Sequence, residues 1–280
     1  MAVPRIALAL TLTAGTLLTL SSSAHAFLFE TNDFDTNPLS RSDAEHDIFL
    51  ESIKVLDNDG GILETITDFS YVQSAEIVHN DEFTGGNSGA ASTDTGDQAT
   101  TGTQVENATA ADIAENLGNN NLNNIIDTED KGSFEIDLHF DKVIDNLLVW
   151  ERGNDRDTWG AGNSDLAIQA LDGDGNLIGN YLKISRDQWK NAGFYIDTKE
   201  IGRSQEVGSL GVNIAQDLGV EDGVMSLRFF SESSFNGPDW KFVGTDAVRG
   251  DVADVPEPAF ILGLGALGSA LMMRKRSRIA

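Results

Sequence analysis

The sequence predicts an all-β fold, a β-sandwich of jelly-roll or galactose-binding-like type carrying one or two short helices. Three observations lead there. Several segments alternate apolar and polar residues with period two, the signature of a strand with one buried face. Turn signals recur between short apolar runs, and 28 glycines stand against only 5 prolines. Helical periodicity is scarce and confined to short stretches.

The clearest alternation is Phe134-Glu135-Ile136-Asp137-Leu138-His139-Phe140, whose apolar residues all fall on one side. Met225, Leu227 and Phe229 alternate with Ser226 and Arg228, and Leu210, Val212 and Ile214 give another strand. Asn146–Glu151 and Leu166–Leu171 are more continuously apolar, as central strands are. Two turns repeat a pattern. Leu56-Asp57-Asn58-Asp59-Gly60-Gly61-Ile62 and Leu171-Asp172-Gly173-Asp174-Gly175-Asn176-Leu177 each set Asp and Gly between apolar runs, a hairpin signal. For helices, Thr109-Ala110-Ala111-Asp112 is a variant capping box, with Ile113 and Leu117 on one face and Gly118 to end it. Ser185–Gln188 suits one or two turns. Residues 84–108, rich in Gly, Ser, Thr, Asn and Asp, predict a long flexible loop.

With 40% hydrophobic residues, the chain carries enough apolar material for a true core. Its formal charge is -26. Five basic residues (Arg5, Arg274, Lys275, Arg276, Arg278) and only one acidic residue (Glu257) lie in the terminal segments, so the part between carries about −30. So negative a surface repels phosphate backbones and excludes nucleic acid as a partner. The absence of cysteine excludes disulfides, thiolate metal sites and a cysteine nucleophile.

Both ends read as sorting segments. Arg5, the apolar run Ile6–Leu20 and Ala24-His25-Ala26 form the three parts of a secretory signal peptide over residues 1–26, cleaved after Ala26. Residues 27–254 then form the mature acidic domain. At the other end, Val255-Pro256-Glu257-Pro258 precedes an apolar membrane segment, 259–273, and a basic tail, 274–280. A helix rises about 1.5 Å per residue, so this segment crosses most of a ~30 Å hydrocarbon layer. The arginines hold its end in the cytoplasm. The order of Pro256-Glu257-Pro258, apolar stretch and terminal arginines resembles the PEP-CTERM sorting signal recognised by exosortases. That resemblance implies an inner-membrane intermediate and processing near the motif. It further implies delivery to the surface or matrix of a Gram-negative-type cell, alongside exopolysaccharide. The stretches Asn119–Asp130, Leu147–Gly153 and Phe235–Thr245 are similar to the exosortase-dependent surface proteins that carry such signals. The resemblance implies no catalytic residues, and it makes Asn154–Asn163 an inserted loop.

No constellation of residues reads as an active site, so the domain is expected not to be an enzyme. Asp172, Asp174 and Asn176 match the opening of an EF-hand loop, but Leu177 stands at the turn glycine and Lys183 at the bidentate glutamate. They are weak calcium candidates and better hairpin residues. No cofactor is expected beyond a structural calcium held elsewhere by acidic loops. Glu135, Asp137 and His139 share a strand face, as any solvent face requires. Among Trp150, Trp159, Trp189 and Trp240, Trp159 sits in a polar loop and is the candidate glycan contact, whereas Trp150 and Trp240 read as core. A structural or adhesive surface role is thus expected. A carbohydrate-binding module for envelope polysaccharide is the alternative, and a secreted hydrolase comes after it.

Overall fold

The computed structural model describes residues 27–34, 42–57, 59–153 and 164–246. Both expected sorting segments, the Asn154–Asn163 loop and Trp159 lie outside the described residues. Among the described residues no helix is long and apolar enough to cross a membrane.

The chain is mostly β-sheet. Its strands are β1 (Phe29–Phe34), β2 (Leu50–Leu56), β3 (Ile62–Ile66), β4 (Val72–Asn80), β5 (Ala91–Asp94), β6 (Ile125–Thr128) and β7 (Phe134–Ile144). There follow β8 (Asn146–Arg152), β9 (Leu166–Leu171), β10 (Leu177–Ile184), β11 (Lys190–Ile196), β12 (Gln205–Asn213), β13 (Val224–Ser231) and β14 (Asp239–Thr245). Helix α1 spans Ala110–Leu117 between β5 and β6. The strands form three antiparallel sheets, ordered β1-β2-β3, β10-β9-β13-β7-β4 and β11-β12-β8-β14-β6-β5.

The six-stranded sheet is covered on both faces, and β8 shows how. Leu147 and Val149 enter one apolar core with Ile136, Leu138, Ile168, Leu227 and Phe229 of the five-stranded sheet. Leu148 and Trp150 turn the other way, into a second core with Phe29, Leu50, Ile53 and Val55 of the three-stranded sheet. All seven residues of β8 are buried. Its continuous apolar run therefore has a cause: each face of the strand meets a different sheet.

Other elements follow the sequence closely. In α1, Thr109 accepts from the Asp112 backbone N–H, and the Asp112 carboxylate accepts from the Thr109 N–H. Ile113 and Leu117 point into the core. The two Asp–Gly turns are built alike. Asp57 Oδ1 accepts from the N–H groups of Asp59 and Gly61, joining β2 to β3. Asp172 Oδ1 accepts from those of Asp174 and Asn176, joining β9 to β10.

Four expectations need correction. Residues 84–108 are not simply a loop: they contain β5, an edge strand whose four residues are all buried. Short polar side chains can be buried there because distant partners satisfy them. Thr95 Oγ1 bonds Asn124 Oδ1 at 2.7 Å, and Asn116 Nδ2 donates to the carbonyls of Asp94 and Ile125. Met225 is exposed, because a bulge between Val224 and Ser226 puts Val224 inside instead. Ile214 has left β12 and opens a π-helical turn, Ile214–Leu218, whose N-terminus is capped by the Asn213 side chain. Ser185–Gln188 makes a single hydrogen-bonded turn rather than a helix.

Candidate functional site

The ends of β6, β8, β12 and β14 meet at one end of the central sheet, and the residues at or next to those ends include Asp127, Arg152, Gln205 and Asp239. Each follows or precedes an apolar strand run: Asp127 after Ile125-Ile126, Arg152 after Leu147–Trp150, and Asp239 before Trp240. The strands drag these polar ends into the protein because burial of their apolar parts outweighs the desolvation of one terminal group, provided that group finds partners.

Arg152 is the hub. It is 2% exposed and faces three aspartates from three strands. Its Nη2 donates to Asp127 Oδ2 at 2.5 Å and to Asp239 Oδ2 at 2.9 Å, its Nε donates to Asp239 Oδ2 at 3.1 Å, and its Nη1 donates to Asp94 Oδ2 at 3.3 Å. Nη1 also donates to Thr198 Oγ1. One cation cannot balance three carboxylates in a place shielded from water, so the protons redistribute. Burial raises Asp94 and Asp239 above the ordinary carboxylate range, with the Arg152 charge only partly opposing it. Burial also acts on Asp127, but the Arg152 charge and hydrogen bonds from its neighbours outweigh it and hold that carboxyl low. Arg152 itself is pushed up, because its three anions overcome its burial.

Outside this hub lies an open pocket of about 310 Å³. Asn87, Asp127, Glu129, Glu200, Gln205 and Asn236 are among its lining residues. Gly237 there adopts a φ of 53°, and a Cβ at that position would sit 2.2 Å from the Thr128 carbonyl oxygen, so only glycine permits this closeness. Glu129 is pushed up to about 7 by burial and by the charges of Asp127, Glu106 and Asp130. Glu200 is pushed up to about 9 by burial, by its hydrogen bond to Asp127 and by neighbouring carboxylates.

These shifts have a sign in stability. A carboxyl raised in the folded chain binds more protons there than in the unfolded chain, so stability falls as pH rises between the two values. For Glu129 the window runs from about 4.5 to about 7, and for Glu200 from about 4.5 to about 9. Thermal melting in EDTA should therefore decline from pH 5 to pH 9. The Glu129→Gln variant should show a shallower slope between pH 5 and 7 and keep the part that Glu200 carries to pH 9, and an unaltered slope would contradict the assignment.

Two groups of carboxylates bring one oxygen each within 4.8 Å of one another: Asp94, Asp127 and Glu200, and Glu106, Glu129 and Glu200. Either group offers only hard oxygen donors. The residues singled out from the sequence lie elsewhere. Asp172, Asp174 and Asn176 form the β9–β10 turn, where the Asp172 carboxylate already accepts from the backbone N–H groups of Asp174 and Asn176. Asp137 is bidentate to Arg228, at 2.5 and 2.8 Å, and His139 Nδ1 lies 2.7 Å from Ser226 Oγ. Both are cross-strand pairs between β7 and β13. Trp150, Trp189 and Trp240 are all buried. Gly153 and Ser164, which bracket the 154–163 segment bearing Trp159, both line the pocket.

The sequence reading missed Arg152 and its aspartates. The available signal was a charged residue closing a strand whose preceding residues form a continuous apolar run, Leu147–Trp150 before Arg152. Comparison of the chain with protein-family models, with curated proteins and with solved structures gives no match.

Proposed function

We propose that the chain is an exported, non-enzymatic surface or matrix protein, sorted by an exosortase-type membrane transpeptidase in a Gram-negative-type envelope. One observation carries this reading: the order of signals around the β-domain. Arg5, an apolar run and Ala24-His25-Ala26 stand before it; Val255-Pro256-Glu257-Pro258, an apolar segment and a cluster of arginines stand after it. An apolar segment closed by cations stalls translocation with the preceding acidic domain outside, and it presents the Pro-Glu-Pro motif beside the membrane. The finer fold reading, a jelly-roll sandwich, draws support from the apolar core shared by the five- and six-stranded sheets. Intact mass of the protein recovered from the cell surface tests the reading. Residues 1–26 and the segment beyond the motif should be missing in a host with its sorting peptidase. Retention of Met272 and the terminal arginines on the cell exterior overturns it.

A second reading, binding of envelope polysaccharide, is favoured by the pocket. Carboxylates and amides of Asp127, Glu129, Glu200, Asn87, Gln205 and Asn236 are the groups that hydrogen-bond sugar hydroxyls. Retention of the protein on the host's exopolysaccharide should weaken in Glu200→Gln and in Trp159→Ala. A hydrolase is the lesser alternative. It would use the contrast between a raised Glu129 and a lowered Asp127 as acid and base, and turnover of a glycan lost in Glu129→Gln would establish it.

A further inference from the structure

We propose that Lys241 and Asn119 form an intramolecular isopeptide bond, in which the lysine Nζ replaces Nδ2 on Asn119 Cγ and ammonia leaves. Lys241 lies in β14 between Trp240 and Phe242, whose rings enter the first core. Strand alternation turns it to the other face with Val243, a member of the second core, and its cross-strand partner is Trp150. The residue is 0% exposed, and among the described residues no carboxylate forms an ion pair with it. With no anion to offset its burial, the ammonium is disfavoured and the amine is held well below its ordinary pKa. A buried amine without its charge is a nucleophile. Its Nζ donates to the Asn116 carbonyl in the last turn of α1 and to Asn119 Oδ1 at 3.4 Å.

The amide it faces is oriented for attack. Asn119 Nδ2 donates to the Glu115 carbonyl at 2.7 Å, while Oδ1 accepts from the Asn121 N–H at 2.9 Å and from Asn124 Nδ2 at 3.4 Å. Those two donors polarise the carbonyl and stabilise the negative charge that grows on Oδ1 as Cγ becomes tetrahedral. A C=O bond is about 1.23 Å, so Nζ lies at most about 4.6 Å from Cγ, and about 1 Å of movement reaches attacking distance. The Nζ–Cγ bond forms, the Cγ–Nδ2 bond breaks, and one Nζ proton departs on Nδ2 as ammonia. No oxidant or cofactor is consumed. A lysine that only capped α1 would need the Asn116 carbonyl and no aligned amide beside it. The product ties the loop after α1 to β14 across 122 residues of chain. In a chain without cysteine, it restricts the unfolded ensemble as a long-loop disulfide would. Both residues lie among those described, so the linkage stands or falls separately from the sorting reading.

Intact mass and tandem mass spectrometry of a digest of the full chain, purified folded in detergent, test the linkage. The chain should be lighter than its sequence by one ammonia, and the digest should contain a branched peptide joining Lys241 to Asn119. Ring closure at the Asn236–Gly237 step would also release ammonia, so the branched peptide decides and the mass alone does not. Lys241→Met and Asn119→Ala should each abolish the branched peptide, and Asn236→Gln should retain it. Thermal melting checks that each variant folds; where Lys241→Met fails to fold, Asn119→Ala decides alone. Recovery of Lys241 and Asn119 only in separate linear peptides from the unaltered chain overturns the proposal. A branched peptide at Lys241 that survives in Asn119→Ala overturns it equally.

Discussion

Replacing Arg152 with methionine should destabilise the chain by about 3–5 kcal/mol, the usual cost of removing one partner from a buried ionic group. Against a total of roughly 5–15 kcal/mol for a folded domain, that loss is large enough to unfold much of the population. Among the described residues the guanidinium is the only cation brought against Asp94, Asp127 and Asp239 together, and it is drawn from a fourth strand, β8, to join β5, β6 and β14. Without it, three buried carboxyls must all be protonated or repel one another. Lysine at this position should rescue little, since an ammonium cannot reproduce the planar fork that contacts three carboxylates and Thr198 at once. Urea unfolding of the full chain reads the effect as a drop in midpoint at constant slope. The triple variant Arg152→Met, Asp127→Asn, Asp239→Asn should regain part of the loss, because the repulsion leaves with the charges. An unfolding free energy within about 0.5 kcal/mol of wild type for Arg152→Met alone would falsify the hub.

Much of the β content was legible because strand periodicity is local. Phe134–Phe140 alternates, the two Asp–Gly turns carry their own side-chain hydrogen bonds, and the α1 capping box is complete within four residues. What was not legible depends on neighbours far along the chain. The apolar run of β8 announces burial on both faces but not that the second face meets β1 and β2, about 100 residues earlier. Buried β5 looked like a loop because Ser92, Thr93 and Asp94 have loop composition, and partners elsewhere in the chain make their burial tolerable: Ser92 Oγ donates to the Asp127 carbonyl, Thr93 Oγ1 pairs with Thr103 Oγ1, Asn116 donates to the Asp94 carbonyl, and Arg152 pairs with the Asp94 carboxylate. The acidic pocket was hidden by abundance. Among 45 acidic residues, nothing in the spacing of Asp127, Glu129 and Glu200 distinguishes them until the loops after β6 and β11 converge.

The second large effect expected is in the core. Trp240→Ala should cost about 3–5 kcal/mol, the range for emptying a fully buried large aromatic position. Trp240 lies on β14 of the central sheet and stacks on Phe229 of β13, with centroids 4.8 Å apart and planes within 7°. Phe242 lies alongside at 5.5 Å, and Phe134 of β7 is tilted against it at 5.8 Å. The indole therefore joins two sheets, and alanine would leave a cavity beside Phe229 and Phe134, with only the Phe229–Phe242 stack still crossing between the sheets there. Trp240→Phe separates area from shape. It retains most of the stacked surface and removes an indole N–H that is buried without a hydrogen-bond partner. It should be at least about 2 kcal/mol less damaging than alanine, because the cavity shrinks and the orphaned donor is gone. Equal losses for alanine and phenylalanine in urea unfolding would mean that the stack contributes through the indole alone. A loss under about 1 kcal/mol for alanine would mean that the two sheets are held together elsewhere.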